Sequence, residues 1–316
     1  MGHFFHAVAV FFHHLAAVKW EFLAYAIACH VIKLLFRAGA WRAILAAAYP
    51  EAEPRFRSVF GAYMAGVGVN SVVPARGGDV VKLYLVKQRM PGASYATLTP
   101  TLIVETLFDF VTAGAIIVWA MASGVLPTHQ FYSRIPSVDW KFFLRHESFT
   151  AILLGVLMLA AVVGYFWVRL RVDRFRERVR RGFAILDDRP RFLRSVIAPQ
   201  SISWIFRIAS LYFFLKAFGV HASIHNALLA QVVDSLATLF PATPGGAGTK
   251  QGLTEFLFRR RGVSHTLLLA FSVGMNIAIV VVNLLLGLAA IALMARTLSF
   301  KRLRQASKAE EQPAHP

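Results

Sequence analysis

The chain of 316 residues is poor in charged side chains, and acidic ones are the scarcest. Charged residues make up 16% of it, whereas an ordinary soluble domain contains roughly 25%. The 16 Asp and Glu residues stand against 34 Lys and Arg, which gives a formal net charge of +18. A soluble nucleic-acid-binding protein would carry that charge on a far more polar chain. Because 57% of the residues are hydrophobic, we expect no nucleic-acid partner.

Cysteine is nearly absent, and familiar catalytic motifs are missing. The single cysteine, Cys29, cannot form an intrachain disulfide, which excludes a disulfide-stapled scaffold. The sequence contains no G-x-S-x-G, H-E-x-x-H or paired C-x-x-C motif, so no familiar hydrolase or zinc signature is present. Four histidines near the N-terminus lack acidic or cysteine neighbours, and we interpret them as interfacial side chains: His3, His6, His13 and His14. We predict neither a metal nor a cofactor.

Long apolar runs dominate what is present. A helix needs about 20 apolar residues to cross the core of a bilayer, and we interpret five runs as spans: 22–36, 97–122, 149–168, 201–220 and 266–295. Lys33 lies near the end of the first and shortest run, where a long side chain can snorkel to the membrane surface. We predict a loop after this run, at 38–58. Phe4–Val18, in the N-terminal segment 1–19, fits either a short span or an interfacial helix. The pattern predicts an all-α polytopic membrane protein, a helical bundle over residues 20–296 with a disordered tail at 297–316.

The distribution of Arg and Lys predicts the orientation. Arg169–Arg194 contains ten arginines and four acidic residues, and such loops stay in the cytoplasm. The tail after Ala295 is also basic, so we expect a cytoplasmic segment at 169–200 and both termini in the cytoplasm. Arg169–Arg181 predicts a basic surface helix, which either binds anionic lipid or only sets the topology.

Two apolar stretches, 59–89 and 227–261, are interrupted by proline and glycine. The first contains N-S-V-V-P-A-R-G-G-D-V-V-K from Asn70 to Lys82, and the second contains P-A-T-P-G-G-A-G-T-K from Pro241 to Lys250. Non-helical backbone at membrane depth is tolerated only where protein buries it or where it lines a wet cavity. Paired breaks of this kind point to a transport site. We predict two re-entrant hairpins, about 59–90 and 225–262; the alternative is ordinary kinks or loops.

The two stretches align without a gap when each residue of the first is paired with the residue a fixed number of positions further along the chain. We call this fixed difference in residue number the repeat offset. Identical residues fall on six pairs of positions: Pro74 and Pro244, Gly78 and Gly248, Leu83 and Leu253, Arg89 and Arg259, Gly92 and Gly262, and Ser94 and Ser264. Three predicted spans separate the stretches, and an odd number of crossings turns the second unit upside down. The sequence therefore predicts an inverted repeat, although Arg259–Arg261 would then lie outside, against the positive-inside rule.

The two breaks resemble a known family. The N-x-x-x-P-A-R-G-G-D-V-V-K-x-Y-L and P-x-x-P-G-G-A-G-T-K-Q-G stretches are similar to the signature regions of the integral-membrane, flippase-like domain of lysylphosphatidylglycerol synthases, over about residues 20–296. The resemblance implies a multi-pass protein of a bacterial or archaeal cytoplasmic membrane that moves an aminoacylated or polyprenyl-linked lipid between leaflets. The synthases carry a soluble aminoacyl-transfer domain after this region. Because only about twenty residues follow Ala295 here, we do not carry the synthase activity over.

Glycines and cations at the breaks suit an anionic headgroup. Paired glycines let backbone N–H groups approach a ligand, and the N-terminus of a half-helix favours an anion. Arg76 could hold a phosphate bidentately, with Lys82 and Lys250 acting as point charges. The predicted substrate-binding residues are Asn70, Arg76, Gly77, Gly78, Asp79, Lys82, Gly245, Gly246, Gly248 and Lys250.

Acidic residues also occur at membrane depth. A charge at the centre of a membrane helix costs roughly 2.5–3.5 kcal/mol on insertion scales, so Glu105 and Asp109, on one helical face, should point into the bundle. One interpretation is structural, with either carboxylate paired to Arg76 or Arg207. The other is that a carboxylate exchanges its partner or a proton during transport. The predicted gating or coupling residues are Glu105, Asp109, Arg207 and Asp234.

These patterns support three hypotheses of function. The first is a lipid translocator, or flippase, with the headgroup between the two hairpins. The second is a membrane-embedded lipid-modifying transferase in which Glu105 or Asp109 is the general base. The third is a non-catalytic partner of a cell-envelope lipid or glycan synthase. The absence of catalytic motifs favours the first, with a membrane lipid as its partner.

Overall fold

The computed structural model describes residues 17–73, 76–123, 172–239, 248–258 and 262–310. These residues are helical and contain no strand, which confirms the all-α prediction. The predicted span 149–168 and nearly all of Phe4–Val18 lie outside them.

The helices fall into two stretches of chain. The first contains α1 (Trp20–Ala48), a 3-10 turn (Pro50–Ala52), α2 (Phe56–Asn70), α3 (Gly77–Arg89) and α4 (Tyr95–Ala122). The second contains α5 (Val172–Gly182), a 3-10 turn (Ala184–Leu186), α6 (Arg189–Phe192), a π-helical turn (Leu193–Ile197), α7 (Ala198–Ala217), α8 (Ile224–Leu239), α9 (Thr249–Phe258) and α10 (His265–Glu310). Helix α10 continues through residues 297–310, within the tail for which the sequence predicts disorder.

Three of the described helices are long and apolar enough to cross a membrane: Trp20–Ala48, Tyr95–Ala122 and the His265–Ala295 part of α10. At 1.5 Å per residue, the 29 residues of α1 extend about 43 Å, beyond the ~30 Å hydrocarbon core. The protein is thus embedded in a membrane.

Helix α1 continues well past the run predicted from the sequence. Trp41, Ile44 and Leu45 are fully buried, so the core-facing pattern continues into the predicted loop, and the many alanines there favour helix. The predicted loop at 38–58 is therefore wrong as far as Ala48. Lys33 lies in the middle of α1, and its placement at the end of a span is wrong too.

The first break folds α2 and α3 into a helical hairpin. The Gly78 N–H donates to Oδ1 of Asn70 at 2.7 Å, which closes the turn. A Cβ atom on Gly78 would overlap the carbonyl oxygen of Gly66, so glycine is required where the two helices meet. Arg76, just before α3, has a left-handed backbone with φ of 59°. The hairpin packs on α10, where Gly68 and Gly287 bring the two backbones together.

Two hydrophobic cores lie at opposite ends of the long helices. One core surrounds α2 and α3 and uses the second half of α1, the first half of α4 and the end of the apolar part of α10. The other surrounds α8 and α9 and uses the beginning of α1, the end of α4 and the first part of α10. Each broken unit is consequently packed near a different end of the bundle.

The helices after each break keep the repeat offset. Helix α4 begins at Tyr95 and α10 begins at His265, and these two positions are as far apart in the chain as Pro74 and Pro244. The turns before them contain Gly92 and Gly262, both left-handed, with φ of 78° and 74°.

Helices α1 and α7 are antiparallel neighbours. The Lys19 N–H donates to the Ala217 carbonyl at 2.9 Å, and Ser210 donates to the Ala26 carbonyl at 2.8 Å. The beginning of α1 therefore lies beside the end of α7.

Helix α5 confirms that the basic segment is helical from Val172 onwards. The arginines whose side chains are described there, Arg176, Arg178, Arg180 and Arg181, are exposed. The helix ends at the buried Gly182, which lies against the backbone of α4 at Thr97. Its binding to anionic lipid stays a prediction.

Candidate functional site

A buried group of charged residues surrounds Arg37 on α1. Its guanidinium lies 2.5 Å from Glu105 and 2.5 Å from Asp109, both on α4. It also donates to the Tyr63 hydroxyl at 2.6 Å, and that hydroxyl donates to Glu105 at 2.9 Å. We call Arg37, Tyr63, Lys82, Glu105 and Asp109 the Arg37 cluster.

Lys82 connects the first hairpin to the Arg37 cluster. Its Nζ lies 3.2 Å from Oε2 of Glu105 and 4.6 Å and 4.1 Å from the ring centres of Trp41 and Tyr63. Carboxylate and aromatic faces both stabilise an ammonium that has left water. Two cations and two carboxylates balance in this cluster, so it carries no formal net charge.

Helix α7 fixes the acidic side of the Arg37 cluster. The Trp204 indole N–H donates to Asp109 at 2.9 Å, and Gln200 donates to the backbone carbonyl of Glu105 at 3.2 Å. The cluster therefore joins α1, α2, α3, α4 and α7.

A second buried group lies where α7, α8 and α9 meet. Asp234 on α8 accepts from Arg207 on α7 at 2.6 Å and lies 2.7 Å from Nζ of Lys250 on α9. Lys33 on α1 lies within electrostatic range of all three residues. We call Lys33, Arg207, Asp234 and Lys250 the Asp234 cluster.

The start of α9 positions Lys250. Gly248 has a left-handed φ of 83°, and its N–H donates to the Gln251 side chain at 2.6 Å. Helix α9 begins at the next residue, which places Lys250 in its first turn beside Asp234.

The structure divides the predicted site residues between separate places. Lys82 joins Glu105 and Asp109, whereas Lys250 joins Arg207 and Asp234. The remaining described residues of the first break interact with one another: Asn70 donates to Asp79 at 3.3 Å, and Arg76 pairs with Asp79 at 3.3 Å. Gly77 begins α3 beside Gly78, while Gly245 and Gly246 lie outside the described residues.

The predicted structural pairing named the wrong cation. Glu105 and Asp109 pair with Arg37, not with Arg76 or Arg207. Arg76 is half exposed and reaches only its own turn, whereas Arg207 is held by Asp234.

Sequence reasoning missed Arg37, Tyr63 and Trp204, and it misplaced Lys33. One signal was available, because Arg37 and Arg207 are related by the repeat offset that aligns the two breaks. Extending the alignment towards the N-terminus would have identified Arg37. Among the described residues, no group of three His, Cys, Asp or Glu side chains is placed to hold a metal ion.

Membrane-length helices with buried ion clusters define a polytopic membrane protein. A model of the lysylphosphatidylglycerol synthase transmembrane region matches residues 4–287, and the chain belongs to this family. The UPF0104 membrane protein MJ1078 of Methanocaldococcus jannaschii is 22% identical over 211 residues, which cover 63% of this chain and 82% of that protein. No solved structure matches the chain.

Proposed function

We propose that the protein is a lipid translocator, which moves an anionic, polyprenyl-phosphate-linked or aminoacylated lipid between the leaflets of the cytoplasmic membrane. One observation carries the proposal. Each Pro/Gly-broken unit places a lysine of its second helix on a carboxylate of another helix, Lys82 on Glu105 and Lys250 on Asp234. Ionisable residues at membrane depth mark substrate pathways, and here they lie where the helices are interrupted. Because the matching family model is that of the membrane region, aminoacyl transfer is not part of the proposal.

The lengths of the broken helices support re-entrant hairpins. Helices α2 and α3 contain 15 and 13 residues, and α9 contains 10, so each extends about 15–23 Å. That is less than the ~30 Å core of a bilayer. Each hairpin in this proposal enters the membrane and returns to the side from which it came.

Antiparallel packing of α1 and α7 supports an inverted repeat. The proposed units are α1–α4 and α7–α10, related by the repeat offset, and antiparallel equivalent helices require units of opposite orientation. The two hydrophobic cores at opposite ends of the bundle favour hairpins that enter from opposite sides. The first would enter from the cytoplasm and the second from outside. Both termini are cytoplasmic in this arrangement when Phe4–Val18 crosses the membrane as a short span, because α1 then begins outside.

The apolar surface of α4 suits a pathway that opens sideways to lipid. Ile103, Leu107 and Phe110 are exposed, whereas Glu105 of the same helix is buried. The acyl or isoprenoid chains would stay in the bilayer while the headgroup moves along the charged interior. The predicted site residues, Arg76 and Lys250 foremost, would contact that headgroup.

Shared ion pairs offer a means of gating. Arg37 bridges Glu105 and Asp109, and Asp234 is shared by Arg207 and Lys250. A headgroup that competes with Glu105 for Lys82 would release the first hairpin. For the second hairpin the releasing step is competition with Asp234 for Arg207, because Lys250 and Asp234 belong to the same hairpin.

Lipid sidedness in proteoliposomes tests this function. Purified protein is reconstituted with a fluorescent phosphatidylglycerol, and an impermeant reductant is added outside. We expect the label of the inner leaflet to become reducible with protein and to stay protected in protein-free vesicles. Complete protection of the inner leaflet for phosphatidylglycerol, phosphatidic acid and a polyprenyl phosphate alike would contradict the proposal.

A further inference from the structure

The two buried clusters differ in their charge balance. Among the residues that the structure describes, two cations face two carboxylates in the Arg37 cluster, whereas in the Asp234 cluster Asp234 is the one carboxylate within electrostatic range of three cations. The break between α8 and α9, residues 240–247, contains no ionisable side chain that could correct the difference. The Asp234 cluster therefore has a formal surplus of two positive charges.

Lys33 contributes a positive charge to the Asp234 cluster that no salt bridge or hydrogen bond among the described residues neutralises. Within the described ranges, no hydrogen bond or ion pair engages its ammonium. Its neighbours in electrostatic range include three cations, Arg37, Arg207 and Lys250. It lies at the middle of α1, a helix long enough to cross the membrane, and is only partly exposed. An ammonium without a counter-ion at this depth is costly, and an anionic ligand would stabilise its charged form.

We propose that Lys33, Arg207 and Lys250 bind a lipid headgroup whose phosphate carries two negative charges. A terminal phosphate has close to two charges at neutral pH, because its second pKa is about 6, whereas a phosphodiester has one. Two charges match the surplus of the cluster. Arg207 supplies a planar fork for two phosphate oxygens, and the two lysines act as point charges. The Arg37 cluster, already neutral, holds helices together in this assignment.

This inference rests on the proposed function for its lipid, and binding tests it without transport. The full chain is purified in detergent, and its apparent Tm is titrated with phosphatidic acid, phosphatidylglycerol, phosphatidylcholine and inorganic phosphate. For the unsubstituted protein we expect half-maximal stabilisation at the lowest concentration with phosphatidic acid. Phosphatidylglycerol should require more, and phosphatidylcholine should have no effect. Stabilisation by inorganic phosphate at the concentration of phosphatidic acid would overturn the assignment to a lipid.

The variant Lys33→Gln removes one cation of the surplus. We expect its affinity for phosphatidic acid to fall about 10- to 100-fold, the size of a lost hydrogen bond to a charged group, and its preference over phosphatidylglycerol to disappear. Its apparent Tm without lipid should equal or exceed that of the parent, because like charges repel. A lower lipid-free Tm, or an unchanged response to phosphatidic acid, would overturn the proposal.

Lys216→Gln is the matched control. It makes the same change on α7, where the ammonium lies 4.4 Å from the ring centre of Phe22, outside both clusters. Its lipid response should equal that of the parent, and a loss as large as that of Lys33→Gln would overturn the assignment. Transport of labelled phosphatidic acid by the unsubstituted protein is measured separately. Selective binding without transport contradicts the proposed function alone, whereas transport that Lys33→Gln leaves unchanged contradicts this inference alone.

Discussion

Phe36 and Phe206 stack on each other with ring centroids 6.0 Å apart and an angle of 15° between the ring planes, although they lie far apart in the chain. Their separation in sequence equals the repeat offset, at which the two Pro/Gly breaks align. A residue that touches its own equivalent lies close to the axis that relates two repeats. The next residues along, Arg37 and Arg207, are the central cations of the two buried clusters. The contact thus connects the proposed repeat to the proposed site.

Hairpins that return to their own side predict a pattern of labelling. Single cysteines are introduced at four exposed positions flanking the hairpins, in a chain whose only native cysteine is replaced by Cys29→Ala: Glu53, Pro91, His221 and Ser264. We expect a membrane-impermeant maleimide to label His221→Cys and Ser264→Cys in intact cells. Glu53→Cys and Pro91→Cys should react only after permeabilisation.

Each pair tests one feature of this topology. Opposite sides for Glu53→Cys and Pro91→Cys would mean that the first unit crosses the membrane instead of returning. The same side for all four positions would contradict the inversion. The cysteine-free chain serves as the control for background labelling.

Local sequence patterns predicted the helices and the break between α2 and α3 because each depends on residues close together in the chain. The break at Asn70–Gly78 is visible in its glycines, and its closing hydrogen bond joins residues only eight apart. The ion pairs are different. Glu105 pairs with Arg37, which lies 68 residues away in the chain. The spacing of the acidic residues within α4 shows only that the carboxylate must point into the bundle. Which cation meets it depends on how α1 packs, and the length of α1 was itself underestimated.

Arg37→Ala should destabilise the protein severely. It leaves Glu105 and Asp109 in the bundle without their shared cation, and breaking a buried pair by removing one partner costs about 3–5 kcal/mol. We expect poor yield and a large fall in the apparent Tm in detergent. Arg76→Ala is the matched control, because Arg76 is half exposed and pairs with a residue of its own turn. Such a pair contributes about 0–1 kcal/mol, so equal losses in the two variants would contradict the structural role of Arg37.

Gly78→Ala should disrupt the first hairpin. The new methyl group would overlap the carbonyl oxygen of Gly66, and forcing a tightly packed contact apart costs about 1–3 kcal/mol. We expect a lower apparent Tm and slower lipid transport in proteoliposomes. Gly114→Ala, where a Cβ atom meets nothing within 4 Å, should instead be neutral or stabilising, because alanine is the better helix former by about 1 kcal/mol. Full stability and transport in Gly78→Ala would show that the close approach of α2 and α3 is dispensable.

A double-mutant cycle on Lys82 and Glu105 separates their mutual interaction from their separate contributions. Lys82→Met leaves Glu105 with Arg37 alone, and Glu105→Gln leaves Lys82 over the rings of Trp41 and Tyr63 without its carboxylate. The two single changes should lower the free energy of unfolding by more, when their effects are added, than the double change does. The reason is that the double variant contains neither unpaired charge. Contacting charged residues couple by about 0.5–3 kcal/mol, and unfolding of all four proteins in one detergent gives this energy.

The same cycle on Lys82 and Asp234 is the control, because these residues belong to separate clusters. Their effects should be additive within about 0.5 kcal/mol. Additivity of Lys82 with Glu105 would mean that the first hairpin is not held through this ion pair, and gating through Lys82 would then lose its basis.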